Sequence, residues 1–197
     1  MRHGPKPPRT GFTLIEMLVV VAIGAILLAV GVPRFSYMVD RNRVAGEVNE
    51  MLADLALTRS EALARRGRVV MCRSLNPTTG GVCDAAATDW NSGWIVFVDD
   101  TTAGVAFQRD GAEPIIRAYG RTSPQVLLTA NVAFAGITVT ADGSVFALDG
   151  NPLNLLGPGS EPLRIDFLGA DNNNRRSLCI ATTGRARTSA TFGVCAA

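Results

Sequence analysis

From Met17 to Val32 every residue is apolar or glycine. Counted from Phe12 to Val32, the run has 21 residues and one charge, Glu16. At about 1.5 Å per helical residue it reaches roughly 31 Å, the thickness of a bilayer's hydrocarbon core. Backbone groups in lipid must bond to one another, so residues 12–33 are predicted as a membrane-spanning helix. A carboxylate deep in lipid costs about 2.5–3.5 kcal/mol, so Glu16 belongs near an interface or beside a cation. Pro33 interrupts the run and Gly24 and Gly31 loosen it, but a helical period resumes afterwards. Val44, Val48, Met51, Leu52, Leu55, Ala62 and Leu63 recur at helical spacing. Arg41, Arg43, Glu47, Glu50, Asp54, Arg59 and Glu61 mostly fall off that stripe. Residues 34–67 therefore read as an amphipathic continuation of the same helix, ending near Arg66 with Gly67 at the C′ position.

From Arg68 the period shortens towards two. Strands are predicted at Arg68–Arg73, Trp94–Val98, Ile115–Tyr119, Val126–Asn131, Ile137–Thr140, Val145–Leu148, Leu163–Leu168 and Leu178–Thr182. Turn signals separate them: Thr79-Gly80-Gly81, Arg109-Asp110-Gly111, Ala141-Asp142-Gly143 and Asp149-Gly150-Asn151. Asp142-Gly143, between two short apolar runs, marks a hairpin. Residues 150–162 and Asn172–Asn174 read as exposed loops. The fold class is α+β: a long N-terminal helix, membrane-spanning and then amphipathic, on an antiparallel β-domain of one or two sheets over residues 68–197.

Ahead of the apolar run stands Gly11-Phe12-Thr13-Leu14-Ile15-Glu16. This hexapeptide resembles the processing motif of type IV pilins and type II secretion pseudopilins. The resemblance implies that prepilin peptidase removes residues 1–11 by cutting between Gly11 and Phe12, and methylates the Phe12 amine. Glu16, then the fifth residue, would pair with the Phe12 amine of a neighbouring pilin subunit. It also implies a fibre core built from residues 12–33. The basic leader, with Arg2, Lys6 and Arg9, favours a cytoplasmic N-terminus. The β-domain would then be periplasmic, held in the inner membrane until assembly into a pilus or pseudopilus at the cell surface. The rival is an ordinary signal anchor with a chance glutamate. An ordinary secretory signal needs a small-residue site after the run, which Ala29-Val30-Gly31 could mimic, but a processing site ahead of the run is the better reading. A second stretch, Asp89-Trp90-Asn91-Ser92-Gly93-Trp94-Ile95-Val96-Phe97-Val98-Asp99, resembles the tryptophan-rich strand of FimT/GspH-type minor pilins. On physical grounds Trp94 and Phe97 are plain core residues.

Charge and cysteines narrow the rest. Without the leader, 16 arginines face 17 acids, a net charge of −1, so any nucleic-acid site is local. Lys6 is the sole lysine. Four cysteines outside the cytoplasm can oxidise, and four allow three pairings. Proximity favours Cys72–Cys83 and Cys179–Cys195. Zinc, the competing reading, lacks a Cys-x-x-Cys pair, and the only histidine, His3, lies in the leader. No metal or other cofactor is expected. Serine or cysteine catalysis normally needs a histidine base, and the processed chain has none. Asp99-Asp100 and Asp149 read as strand-end and turn residues rather than acid–base pairs or calcium ligands. An enzyme is not expected, and nothing selects for an adhesin.

The informative chemistry is C-terminal. Asn172 to Ala197 holds Arg175, Arg176, Arg185 and Arg187 and no acid. Arg185 and Arg187 alternate at period two, so an extended chain points both to one side. Such cations can grip successive phosphates, and with only Phe192 nearby the expected binding has no sequence preference. Gly184-Arg185-Ala186-Arg187 resembles the Gly-Arg-x-Arg motif of FimT-type minor pilins, which bind double-stranded DNA during natural transformation. The resemblance implies DNA binding through Gly184, Arg185 and Arg187, with Arg175 and Arg176 auxiliary. The alternative is a structural minor pilin or type II secretion pseudopilin that primes assembly and binds no DNA. One test follows from the anchor: Glu16→Ala is expected to leave cleavage intact but impair incorporation into fibres. Normal incorporation, measured by immunoblot of sheared filaments, contradicts the pairing role.

Overall fold

The computed structural model describes residues 11–84, 89–100, 108–110, 113–121, 124–131, 135–147, 162–170, 172–181, 183–189 and 191–195. The leader to Thr10, the Asp149-Gly150-Asn151 turn and residues 150–161 of the expected loop lie outside the described residues. One helix, α1, runs Leu14–Arg65 and carries Pro33 inside it. Its start is a capping box. Glu16 N–H donates to Thr13 Oγ1 at 3.3 Å, and Thr13 N–H donates back to the Glu16 carboxylate at 3.3 Å. Glu16 therefore sits on the positive end of its own helix dipole.

The chain divides into two compact units, one reaching Val39 and one from Asp40 to Ala197. In the first, the apolar side chains from Phe12 to Met38 are exposed, and the helix is long and apolar enough to cross a membrane. Among the described residues, the second holds the buried hydrophobic ones, from Val44 onward.

Among the described residues nine strands follow: β1 Arg68–Arg73, β2 Gly93–Asp99, β3 Ile115–Gly120, β4 Leu127–Ala130, β5 Gly136–Val139, β6 Val145–Ala147, β7 Leu163–Leu168, β8 Arg175–Ile180 and β9 Ala186–Ser189. They build two antiparallel sheets, ordered β3-β2-β1-β5-β6 and β4-β7-β8-β9. Eight strands match the sequence expectations within a few residues. The ninth, Ala186–Ser189, was not among them because its residues, Ala-Arg-Thr-Ser, carry no apolar alternation. The β5–β6 hairpin turns through Asp142-Gly143, with Gly143 at φ 80°.

Val44, Val48, Met51 and Ala62 of α1 pack into a core with Val69, Met71, Trp94 and Val96 of the first sheet and Leu128, Ile165, Phe167 and Leu178 of the second. A smaller cluster on the other side of β1 and β2 holds Val70, Cys72, Ile95 and Phe97. The Cys72–Cys83 disulfide lies there.

Four readings of the pattern change. Leu63, assigned to the buried stripe, is 48% exposed. Glu47 and Asp54, placed off that stripe, are buried, and so is Asp40. Asp40 accepts from Ala170 N–H at 3.1 Å and Asn174 Nδ2 at 2.9 Å. Glu47 accepts from Arg121 Nε at 3.1 Å, and Asp54 accepts from Trp94 Nε1 at 2.7 Å and faces Arg117 Nε at 3.4 Å. Because Asn174 fills that role, it is buried rather than part of an exposed loop. The helix end also shifts. Arg66 N–H bonds Leu63 O at 3.3 Å and Gly67 N–H bonds Ala62 O at 3.2 Å, a Schellman motif with Arg66, at φ 51°, in the C′ position. Gly67 is one place too late to relieve it.

A left-handed non-glycine residue costs about 1–2 kcal/mol. Arg66→Gly is therefore expected to raise the thermal midpoint of the soluble unit by about 2–4 °C. An unchanged or lower midpoint contradicts the motif.

Candidate nucleic-acid interface

The C-terminal arginines lie on and beside an edge hairpin. β8 pairs β9 with Cys179 opposite Arg187 and Ile180 opposite Ala186. Ala181 N–H donates to Arg185 O at 2.9 Å, which extends the ladder by one pair. Opposed residues share a face and alternate residues swap faces. Leu178 and Ile180 face the core. Cys179, Arg187 and Arg185 therefore face outward, and both arginines are exposed. Among the described residues β9 is the last strand of its sheet.

The turn requires its glycine. Gly184 has φ 74°, and its N–H closes onto Ala181 O at 2.8 Å. A Cβ at Gly184 would stand 2.2 Å from Val145 Cγ2, so side chains are excluded by space as well as by backbone conformation.

A folded-back tail stiffens the outer face. Cys195 is disulfide-bonded to Cys179, with the Cα atoms 5.7 Å apart. Gly193 N–H donates to Ser177 Oγ at 2.8 Å, and Arg164 Nη1 donates to Gly193 O at 2.6 Å. Ser177 Oγ donates in turn to Asp166 at 2.5 Å. Arg164, missed from sequence, stands in the same cross-strand row as Cys179 and Arg187. Its Nε is held by Asp166 at 3.0 Å, so it anchors the tail rather than adding a free cation. Its i, i+2 spacing from Asp166 on a strand was the available signal.

The other two candidates separate. Arg175 begins β8 on the outer face, about 13 Å along the strand from the Arg187 row. Its guanidinium carbon sits 5.2 Å from the Phe192 ring centroid. Arg176 faces the other way, with Leu178 and Ile180, and is half-buried. It does not join the outward cations. Asp99, weighed earlier as an acid–base residue, is ion-paired with Arg68 at 3.1 Å. Among the described residues no cluster of histidine, cysteine or carboxylate side chains could hold a metal.

Next to the turn lies an open recess of about 440 Å³, lined by Arg59, Asp142, Gly143, Ser144, Val145, Phe146 and Thr183. The Asp142 carboxyl accepts hydrogen bonds from the Thr140 and Ser144 hydroxyls and the Ser144 N–H. These lower its pKa to about 2, so it is anionic at any physiological pH.

The sequence-family description for type II transport protein GspH matches residues 47–196, and that for the prokaryotic N-terminal methylation motif matches residues 6–32. The chain belongs to the GspH family. It is a minor pilin or pseudopilin of the GspH/FimT type. Among solved structures, the type IV minor pilin FimU of Pseudomonas aeruginosa strain PAO1 superposes with a TM-score of 0.52 at 18% identity, covering 77% of this chain and 92% of FimU. A second crystal form of FimU gives 0.45 at 18% identity, covering 72% and 88%. At that identity the likeness is one of fold: a long N-terminal helix on antiparallel sheets. No curated protein sequence matches this GspH-family chain.

Proposed function

We propose that this GspH-family protein is a minor type IV pilin that binds double-stranded DNA without sequence preference, for DNA uptake in natural transformation. The observation that carries the reading is the pair Arg185 and Arg187, both exposed on one face of an edge hairpin. No acid lies between Asn172 and Ala197, so that stretch carries four positive charges in a chain of near-neutral charge. The ladder, Gly184 and the pinned tail fix the hairpin in advance, which lowers the entropy cost of gripping phosphates. Arg175 is an auxiliary contact, steadied by Phe192. Arg176 is left out, since it faces the core side.

In the same proposal prepilin peptidase cuts after Gly11 and methylates Phe12. The processed chain spans the inner membrane with its β-domain in the periplasm. On assembly Glu16 exchanges its local cap on Thr13 for the Phe12 amine of a neighbouring subunit. The role is architectural and DNA-binding, with no chemical step.

A second reading is a structural subunit that primes a pilus or pseudopilus and leaves DNA alone. The GspH match, described as a type II transport protein, favours it.

The test is titration of the soluble unit, residues 40–197, with duplex DNA at two salt concentrations. Each phosphate contact contributes about 0.9 to the slope of log affinity against log salt. Arg185→Gln with Arg187→Gln is expected to weaken binding strongly and reduce the slope by roughly 1.8. Absent binding at low salt, or undiminished binding by the double variant, overturns the DNA assignment and leaves the structural reading.

A further inference from the structure

We infer that Arg59 of α1 is the positioning residue of the DNA-binding hairpin, an inference that rests on the reading of Arg185 and Arg187 given above. Arg59 lies 124 residues before Thr183, yet its Nη1 donates to Thr183 O at 3.0 Å. That carbonyl sits in the turn that carries Gly184 and Arg185. The guanidinium is flanked by two glycines in left-handed turns. A Cβ at Gly184 would lie 3.5 Å from Nη1, and a Cβ at Gly143 would lie 3.6 Å from Nη2. Gly143 closes the β5–β6 hairpin of one sheet, and Gly184 closes the β8–β9 hairpin of the other. One planar cation on the helix thus spans a turn from each sheet.

The turn is therefore registered twice. Val145 of β6 packs where a Gly184 side chain would be, and Arg59 holds the neighbouring carbonyl. Main-chain bonds alone fix only the hairpin's own ladder. The direction in which Arg185 leaves the domain depends on how the turn sits against α1, and Arg59 sets that.

Arg59 is not itself a phosphate contact. Among the described residues it has no carboxylate partner, but Asp142 lines the same recess and is anionic at physiological pH. A fixed negative charge there repels a phosphate. The shape of Arg59 matters as well as its charge. A guanidinium fills the slot between two glycines and donates in a plane, whereas lysine offers one flexible donor with the same charge.

The test uses the soluble unit and two variants, Arg59→Leu and Arg59→Lys, with two readouts: amide hydrogen exchange at Gly184 and DNA titration at two salt concentrations. Arg59 is half-buried on the helix surface, and thermal melts establish that both variants fold. In Arg59→Leu, Gly184 exchange is expected to quicken and DNA affinity to fall, each about two- to tenfold, the range one net hydrogen bond supplies. The salt slope is expected to stay within about 0.5 of the wild-type value, because both phosphate contacts remain. Arg59→Lys is expected to recover part of both losses. Unchanged Gly184 exchange in Arg59→Leu overturns the inference. So does a slope reduced by about 0.9, which makes Arg59 a direct contact. Failure of the wild type to bind DNA overturns the parent reading, and the exchange measurement then still decides whether Arg59 pins the turn.

Discussion

Three buried carboxylates on one face of α1 hold the head together. Asp40, Glu47 and Asp54 are spaced by seven, so they line one stripe of the helix. Burying a carboxylate is costly unless it is hydrogen-bonded and paired. Each finds partners on a different part of the β-domain. Asp40 takes the β7–β8 turn, Glu47 takes Arg121 beyond β3, and Asp54 takes the Trp94 indole and Arg117. Between them Val44, Val48 and Met51 supply the non-directional part of the packing. The apolar contacts drive association of helix and sheets, and the carboxylates set the register in which they associate.

Arg121 is the hub of this seam. Its side chain is 1% exposed and donates to Glu47, Asn91 Oδ1, Asn91 O and Val126 O. Tyr119 beside it is pushed up to about 12, first by burial and then by the Glu47 and Glu50 charges. It stays neutral and lies on Trp94 with ring centroids 4.5 Å apart. The arginines of the β-domain serve different ends. Those at 68, 73, 117, 121 and 164 face carboxylates and serve the architecture. Those at 185 and 187 are exposed on one face of a sheet edge.

Much of this was legible in the sequence, for physical reasons. The apolar start of α1 was plain because Phe12 to Val32 is an apolar run long enough to cross a membrane. Most strands were plain because apolar alternation between turn residues leaves few options. The seam was not, because a carboxylate at helical spacing reads as a solvated face until its partner is known, and Arg121 is 74 residues from Glu47. The helix cap was misplaced by one residue because a glycine was taken as the left-handed position when an arginine holds it. β9 was missed as a strand because an edge strand facing solvent needs no apolar pattern. In the candidate interface, Arg185 and Arg187 were readable from period two. Arg59 was not, since only the folded chain brings α1 to the Thr183 carbonyl.

The central claim is that Glu47 and Arg121 act as one unit, and a double-mutant cycle on the unfolding of the soluble unit tests it most directly. Glu47→Leu and Arg121→Met are each expected to destabilise by about 3–5 kcal/mol, because each strands a buried charge. The double variant is expected to fall short of the sum of the two by about 1–3 kcal/mol. Single losses below about 1 kcal/mol that simply add would contradict the account.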